Sequence, residues 1–111
     1  LCGFQCCHNF FFSRIFVSET NVLSTSQELL ALGADVVEIN AGVFDVLHDF
    51  AGCVPGINEV LRQQGLLRTT RCLGPDVLSP GQAELIRTLR GRYPELLDED
   101  FVAEGCSRWL A

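Results

Sequence analysis

Two short runs of β-branched and aromatic residues in the first half of the chain predict β-strands. The first is RIFVSE, residues 14–19, and the second is DVVEIN, residues 35–40. Between them, NVLSTSQELLALG predicts a helix in which Thr25 and Glu28 have capping-box spacing and Gly33 ends the helix. The order strand, helix, strand implies parallel strands joined by a right-handed crossover, and therefore an α/β fold.

After Gly42 the apolar residues recur with helical spacing instead. VFDVLHDF, residues 43–50, predicts a short helix. VPGINEVLRQQG, residues 54–65, predicts a second helix that Gly65 ends. The following segment, residues 66–78, carries no periodic pattern and is interpreted as a linker.

Two further helices are predicted near the C-terminus. In LSPGQAELIRTLRGRYP, residues 78–94, Ser79 has the position of the N-cap, Pro80 the first helical position and Gln82 the capping-box position. DEDFVAEGCSRWLA, residues 98–111, predicts the last helix. Its apolar residues fall on one side: Phe101, Val102, Cys106 and Trp109.

A sheet of only two parallel strands leaves both edges unpaired, and parallel sheets are normally covered by helices on both faces. More sheet is therefore expected upstream of Leu1 or in another chain. The chain also begins at Leu1 and contains no Met, which favours a fragment. The 111 residues are accordingly predicted to form a single incomplete domain.

Composition excludes several partners. The net charge of −6 comes from 14 carboxylates and 8 cations spread along the chain, so there is no basic face for nucleic acid. The longest apolar run, FFFSRIFV, is far shorter than a membrane-spanning helix, so no membrane association is expected. No export signal is visible, and the six cysteines are therefore interpreted as reduced thiols of a cytoplasmic protein.

Polar residues at the predicted strand ends are the first candidate site. In parallel α/β folds the loops after the carboxyl ends of strands converge in one crevice. Glu19 and Asn21 follow the first predicted strand, and Asn40 ends the second. This carboxylate and these two amides would suit a substrate with hydroxyl or carboxylate groups, and ordinary capping of loops and helices is the alternative.

Asp45 and His48 form the second candidate, because residues three apart share a helix face. They would act as a general base with its orienting carboxylate, or as two ligands of a metal site that lacks its others. A packed or solvated pair with a satisfied imidazole is the alternative we favour.

Cys53 with His48 would make a nucleophile and base, but no nucleophile elbow accompanies them, and a packing role is expected for the thiol.

The N-terminal run CGFQCCH is rich in metal-binding side chains: Cys2, Cys6, Cys7 and His8. Their spacing matches neither a zinc knuckle nor a zinc finger, and no second cluster follows. A small metal-binding protein is therefore the weakest of the functional hypotheses. We predict no metal site, no cofactor and no catalytic residue.

The segment LLALGADVVEINAGVFD resembles the last βα repeat of the dihydrodipicolinate synthase and N-acetylneuraminate lyase family. FAGCVPGINEVLRQQGLL and CLGPDVLSPGQAELI are similar to the C-terminal region of a divergent dihydrodipicolinate synthase branch. The resemblance implies that residues 14–50 are the terminal βα units of a TIM (β/α)8 barrel and residues 54–111 a C-terminal helical extension. The fold class is then α/β and helix-rich.

The same resemblance implies a Schiff-base lyase of the class I aldolase type acting on a 2-oxo acid. The chain contains no Lys, so it would carry only the rim of the site, with Glu19, Asn21 and Asn40 binding substrate, and would be inactive alone. The alternative is a free-standing, non-catalytic helical interaction module whose apolar stripe of Phe101, Val102 and Trp109 docks a partner. The oligomeric state stays open, and a homo-oligomer is compatible with either function.

Overall fold

The computed structural model describes residues 26–111, whose regular secondary structure is helical. Their four α-helices are α1 (Ser26–Val43), α2 (Cys53–Gln63), α3 (Gln82–Arg92) and α4 (Glu99–Trp109). A short 3-10 helix, Val46–His48, lies between α1 and α2. The chain divides into two compact units, Leu1–Glu38 and Ile39–Ala111, with the boundary inside α1.

The described residues contain no β-strand, so the predicted α/β barrel class is wrong for them. The predicted strand at residues 35–40 is part of α1. In α1 the buried residues Val36, Ile39 and Val43 are three and four positions apart, whereas Val37 is 67% exposed. This is the spacing of a helix face, and packing of that face overrides the strand preference of β-branched residues. The other predicted strand, residues 14–19, lies outside the described residues.

Two glycines that were predicted to end helices behave differently. Gly33 lies inside α1, which continues for ten residues beyond it. A glycine within a helix costs about 1 kcal/mol relative to Ala but does not by itself stop the helix. Gly65 ends α2 as predicted, with φ 85° and its N–H bonded to the carbonyl of Arg62. The Leu66 N–H bonds to the carbonyl of Leu61, which completes a Schellman motif.

The core of the second unit lies between the C-terminal end of α1 and helices α2 to α4. Helices α2 and α3 pack against each other. Gly56 allows α2 to begin directly against the end of α1, because a Cβ at this position would lie 1.9 Å from the carbonyl oxygen of Val43. The buried apolar residues of this unit are Ile39, Val43, Phe44, Val60, Ile86, Leu89, Leu97 and Val102.

The helix predicted at residues 43–50 is reduced to the single 3-10 turn. Asp45, Asp49 and Phe50 all have positive φ, between 54° and 64°, and residues in this conformation cannot continue a right-handed helix. The loop from Phe44 to Gly52 therefore folds back on itself through backbone hydrogen bonds such as Phe50 N–H to the Asp45 carbonyl, 3.0 Å.

The other C-terminal predictions hold in part. Helix α3 begins at Gln82 after a left-handed Gly81, so Ser79 is not its N-cap and Pro80 is not its first residue. Gln82 does accept a hydrogen bond from the Ser79 backbone N–H, at 3.0 Å, as its capping-box position indicates. Helix α4 and the irregular segment at residues 66–78 agree with prediction. Within residues 26–111, no helix is both long and apolar enough to cross a bilayer.

Candidate functional site

The Asp45 cluster consists of Asp45, His48, Gly52 and Ser79. Asp45 is 5% exposed, and its carboxylate accepts hydrogen bonds from three groups. His48 Nδ1 lies 2.6 Å from Oδ1, and the Gly52 backbone N–H lies 2.9 Å from Oδ2. The Ser79 hydroxyl donates to the same Oδ2, so one carboxylate joins the two ends of the loop to the residues before α3.

The electrostatics of this cluster favour an ionised Asp45. Burial opposes ionisation of the carboxyl group, but hydrogen bonds from Ser79, His48 and Gly52 outweigh burial and lower the pKa of Asp45. An ionised carboxylate only accepts hydrogen bonds, so His48 Nδ1 carries a proton. Nε2 is then the ring nitrogen that faces away from the carboxylate, on a side chain that is 51% exposed.

The arrangement is not a serine-nucleophile triad, although it contains the same three residue types. In such a triad the imidazole contacts the serine hydroxyl and the carboxylate orients the imidazole. Here the Ser79 hydroxyl bonds to Asp45 and not to His48, so the imidazole is not placed to take its proton. The alternative favoured from the sequence was a packed or solvated pair with a satisfied imidazole. It describes the geometry better than a general base with its orienting carboxylate does.

Gln82 extends the Asp45 cluster into a buried polar clamp. Its side-chain NH₂ donates to the carbonyl of Val43 at 3.2 Å and to the carbonyl of Gly52 at 2.9 Å. The first contact satisfies the end of α1 and the second the residue before α2. Sequence reasoning found Asp45 and His48 but not the contacts that Ser79 and Gln82 make with this loop, since no local pattern signals contacts 30 or more residues away.

The predicted substrate-binding residues are not brought together by the described part of the chain. Glu19 and Asn21 lie outside it, as do Cys2, Cys6, Cys7 and His8 of the proposed metal cluster. Asn40 lies in α1 and not at a strand end. Its side-chain Oδ1 is buried and has no hydrogen-bond partner among the described residues, which is a local cost and not a site.

The cysteine and metal hypotheses find no support within residues 26–111. No group of three or more His, Cys, Asp and Glu side chains in this range could hold a metal ion. Cys53, Cys72 and Cys106 form no disulfide. The Nδ1 atom of His48, the predicted base, contacts Asp45.

A second polar network ties the helices together. Glu59 of α2 is almost fully buried and receives two hydrogen bonds of 2.7 Å from Arg62. Arg90 of α3 makes a similar pair with Glu99 of α4, with both N–O distances 2.6 Å. In each pair the arginine hydrogen bonds lower the pKa of the carboxyl group despite burial. In both pairs the carboxylate and guanidinium charges are matched to each other.

The outer face of α4 differs from all of these. Phe101, Glu104, Gly105, Arg108 and Trp109 line an open cavity of about 240 Å³, which we call the α4 groove. Phe101 is 64% exposed and Trp109 is 42% exposed, and their ring centroids are 5.2 Å apart. Val102, which the sequence placed with them, is buried on the inner side of the helix.

Gly105 shapes the α4 groove. A Cβ built on Gly105 would lie 2.1 Å from Cζ2 of Trp109, so the indole rests directly on the helix backbone. Any larger residue would displace the ring. Phe101 and Trp109 were predicted as docking residues, but the part played by Gly105 depends on the rotamer of Trp109, which the sequence does not reveal.

Two other open cavities are formed by described residues. One, of about 450 Å³, lies in the segment between α2 and α3 and is lined by residues from Thr70 to Val77. The other, of about 380 Å³, lies beside the Arg90–Glu99 pair. Neither contains Asp45, His48 or Ser79, so neither supplies a pocket for the half-exposed imidazole.

No family model, curated protein or solved structure matches the chain.

Proposed function

We propose that this chain is a non-catalytic helical interaction module that binds a protein partner through the α4 groove. The observation that carries the proposal is the exposed Phe101–Trp109 pair, with its indole seated on Gly105. Large aromatic side chains are enriched at the centres of protein interfaces, where they supply most of the binding energy. A ring already held in position loses little conformational freedom when it binds.

The contrast with the polar clusters supports a binding role over a catalytic one. Each hydrogen-bonding group of the Asp45 carboxylate is engaged in holding the loop, and the adjacent imidazole faces no cavity described above. A general base needs a substrate within hydrogen-bond reach. The lyase activity expected from the family resemblance stays a prediction that nothing in residues 26–111 supports, because the strand assigned to the barrel is helical.

The supposed 2-oxo acid partner depends on the same lyase interpretation and gains no support from the described residues. We propose a cytoplasmic location for the module. The absence of disulfides at Cys53, Cys72 and Cys106 is compatible with a reducing compartment.

Site-specific photocrosslinking in cells tests the binding role. A photoreactive phenylalanine analogue replaces Phe101 in the full chain, and the same analogue replaces Leu73 as the control. Leu73 is also apolar and is fully exposed, but it lies in the segment between α2 and α3. We expect a discrete adduct at position 101, at least tenfold more abundant than at position 73, whose protein is identified by mass spectrometry. Equal, diffuse labelling at both positions would overturn the proposal.

A further inference from the structure

The α4 groove is a continuous stripe along one side of its helix. Its five residues are spaced at i, i+3, i+4, i+7 and i+8, which places them on a single face. In the sequence, Glu104 and Arg108 fall between Phe101 and Trp109, whose ring centroids are only 5.2 Å apart. The groove therefore combines an acid, a base and two aromatic side chains on a surface about two turns long.

Glu104 and Arg108 have no ion-pair or hydrogen-bond partner among the described residues. Their i, i+4 spacing, with Glu first, is the favourable arrangement for a pair within a helix, yet they do not form one. On α3 the equally exposed Glu84 and Arg87 do pair. The α4 groove thus presents one unused positive and one unused negative charge, four residues apart.

From this charge pattern we infer that the partner of the α4 groove is a second copy of this chain, bound through an antiparallel α4–α4 contact. The inference rests on the proposed function. A twofold axis level with Cys106 places Glu104 opposite Arg108 of the partner subunit and Arg108 opposite the partner subunit's Glu104. Both unused charges are then paired by the same surface, as an isologous interface requires.

The opposite orientation is disfavoured by the same charges. A parallel arrangement would set Glu104 beside Glu104 of the partner subunit and Arg108 beside the partner subunit's Arg108, and like charges in contact repel. In the antiparallel arrangement the two helix dipoles also point in opposite directions, which is electrostatically favourable. It buries the rings of Phe101 and Trp109 between the helices, which supplies the apolar part of the contact.

The size of the contact limits its strength. Helix α4 has 11 residues and is therefore about 16 Å long, so the buried area falls at the low end for protein interfaces. The dimer is expected to be in equilibrium with monomer, with a dissociation constant on the order of micromolar or weaker.

Sedimentation equilibrium of the full chain tests the dimer by charge exchange. The variants are Glu104→Arg, Arg108→Glu and the double exchange, with Glu84→Arg on α3 as the matched control. Each single reversal sets like charges opposite each other and should weaken dimerisation at least tenfold. The double exchange restores complementary pairs and should return the dissociation constant to within about threefold of the unmodified chain, while Glu84→Arg leaves it unchanged. Circular dichroism of each variant verifies that it remains folded.

Two results would overturn the dimer: an unmodified chain that stays monomeric up to about 1 mM, or a double exchange no tighter than the single reversals. The photocrosslinking experiment separates this failure from that of the proposed function. An adduct with a different protein at position 101, together with a monomeric chain, removes the dimer and keeps the interaction module. No specific adduct together with a monomeric chain removes both.

Discussion

The Asp45 cluster and the α4 groove both combine charged and apolar groups in the second unit, but they use their charges in opposite ways. Asp45 is buried, and its two oxygens accept from His48, Gly52 and Ser79. In the α4 groove, Glu104 and Arg108 are exposed and unpaired within the described part of the chain, beside two aromatic rings. Buried polar groups must be satisfied internally, whereas exposed ones can remain available to a partner.

The comparison also shows why residue types alone mislead. Asp, His and Ser suggest a catalytic site, yet their contacts make a structural clamp for a strained loop. Helix α4, whose residue types suggest no such site, carries the exposed aromatic pair and the charges proposed to bind a partner. The distinction lies in which groups already have partners, and each of the following experiments tests one side of it.

The largest effect is expected for Asp45→Ala. Removing the carboxylate leaves the buried Gly52 N–H and the part-buried Ser79 hydroxyl without their acceptor, which should lower the free energy of unfolding by about 3 kcal/mol. Urea denaturation followed by circular dichroism measures the change. Asp45→Asn keeps the size and one accepting oxygen and should lose roughly half as much, and His48→Gln should lose less than about 1 kcal/mol because the imidazole is half exposed.

That order would be contradicted if His48→Gln were as destabilising as Asp45→Ala. The imidazole would then be a principal support of the loop, and the description of the carboxylate as the centre of the cluster would be wrong. None of the three variants should alter the dimer equilibrium, since the α4 groove is intact in all of them.

Acidification provides a second test of the buried carboxylates. The pKa values of Asp45, Glu59 and Glu99 are lowered from ordinary values of 3.8, 4.5 and 4.5. Their stabilising contribution is therefore complete above the unfolded-state pKa values and is lost as pH falls below about 4 through the folded-state values. Each group adds up to about 1.4 kcal/mol per pH unit to the slope of stability against pH.

Urea denaturation between pH 2 and pH 6 measures this slope. Asp45→Asn should make it shallower, because one linked carboxyl group is removed. Identical slopes for Asp45→Asn and the unmodified chain would show that Asp45 is not stabilised in its ionised form.

The smallest effect on stability, within about 1 kcal/mol, is expected for Gly105→Ala. The helix gains propensity, while the added methyl group displaces the Trp109 indole from the backbone. Because Trp109 is the only tryptophan, its emission should shift to the red and acrylamide should quench it more strongly. The Gly105→Ala substitution should also weaken dimerisation.

Gly91→Ala is the control for this substitution. Gly91 is also helical, but a Cβ there meets no atom within 4 Å. It should gain a similar propensity without changing the emission of Trp109. Unchanged emission in Gly105→Ala as well would mean that the indole does not rest on the helix backbone, and the preformed groove would lose its physical basis.

Helix α2 and helix α1 show how far the sequence could be interpreted. Gly65 was correctly predicted to end α2, because a left-handed glycine after a periodic apolar face is a local feature. The same rule applied to Gly33 failed, because a glycine also occurs inside helices at moderate cost. The β-branched run at residues 35–40 then led to the wrong prediction of a strand, although the buried residues Val36, Ile39 and Val43 have helical spacing.

The candidate sites divide in the same way. The sequence identified Asp45 with His48 three residues on, and it identified Phe101 and Trp109 as exposed-side aromatic residues of a helix. It did not identify Ser79 or Gln82 as partners of the Asp45 loop, nor Gly105 as the seat of the indole. The contacts of Ser79 and Gln82 span 30 or more residues, and the position of Gly105 under the indole depends on the rotamer of Trp109.

The sequence by itself determined the helices α2, α3 and α4 to within a few residues, the end of α2 at Gly65 and the net negative charge, because each depends on local periodicity or on composition. Only the tertiary structure decided that residues 35–40 are helical, that Asp45 is a clamp and that Glu104 and Arg108 are left unpaired. These outcomes depend on which distant groups come into contact, and contacts between distant groups are made by packing and not by local sequence preference.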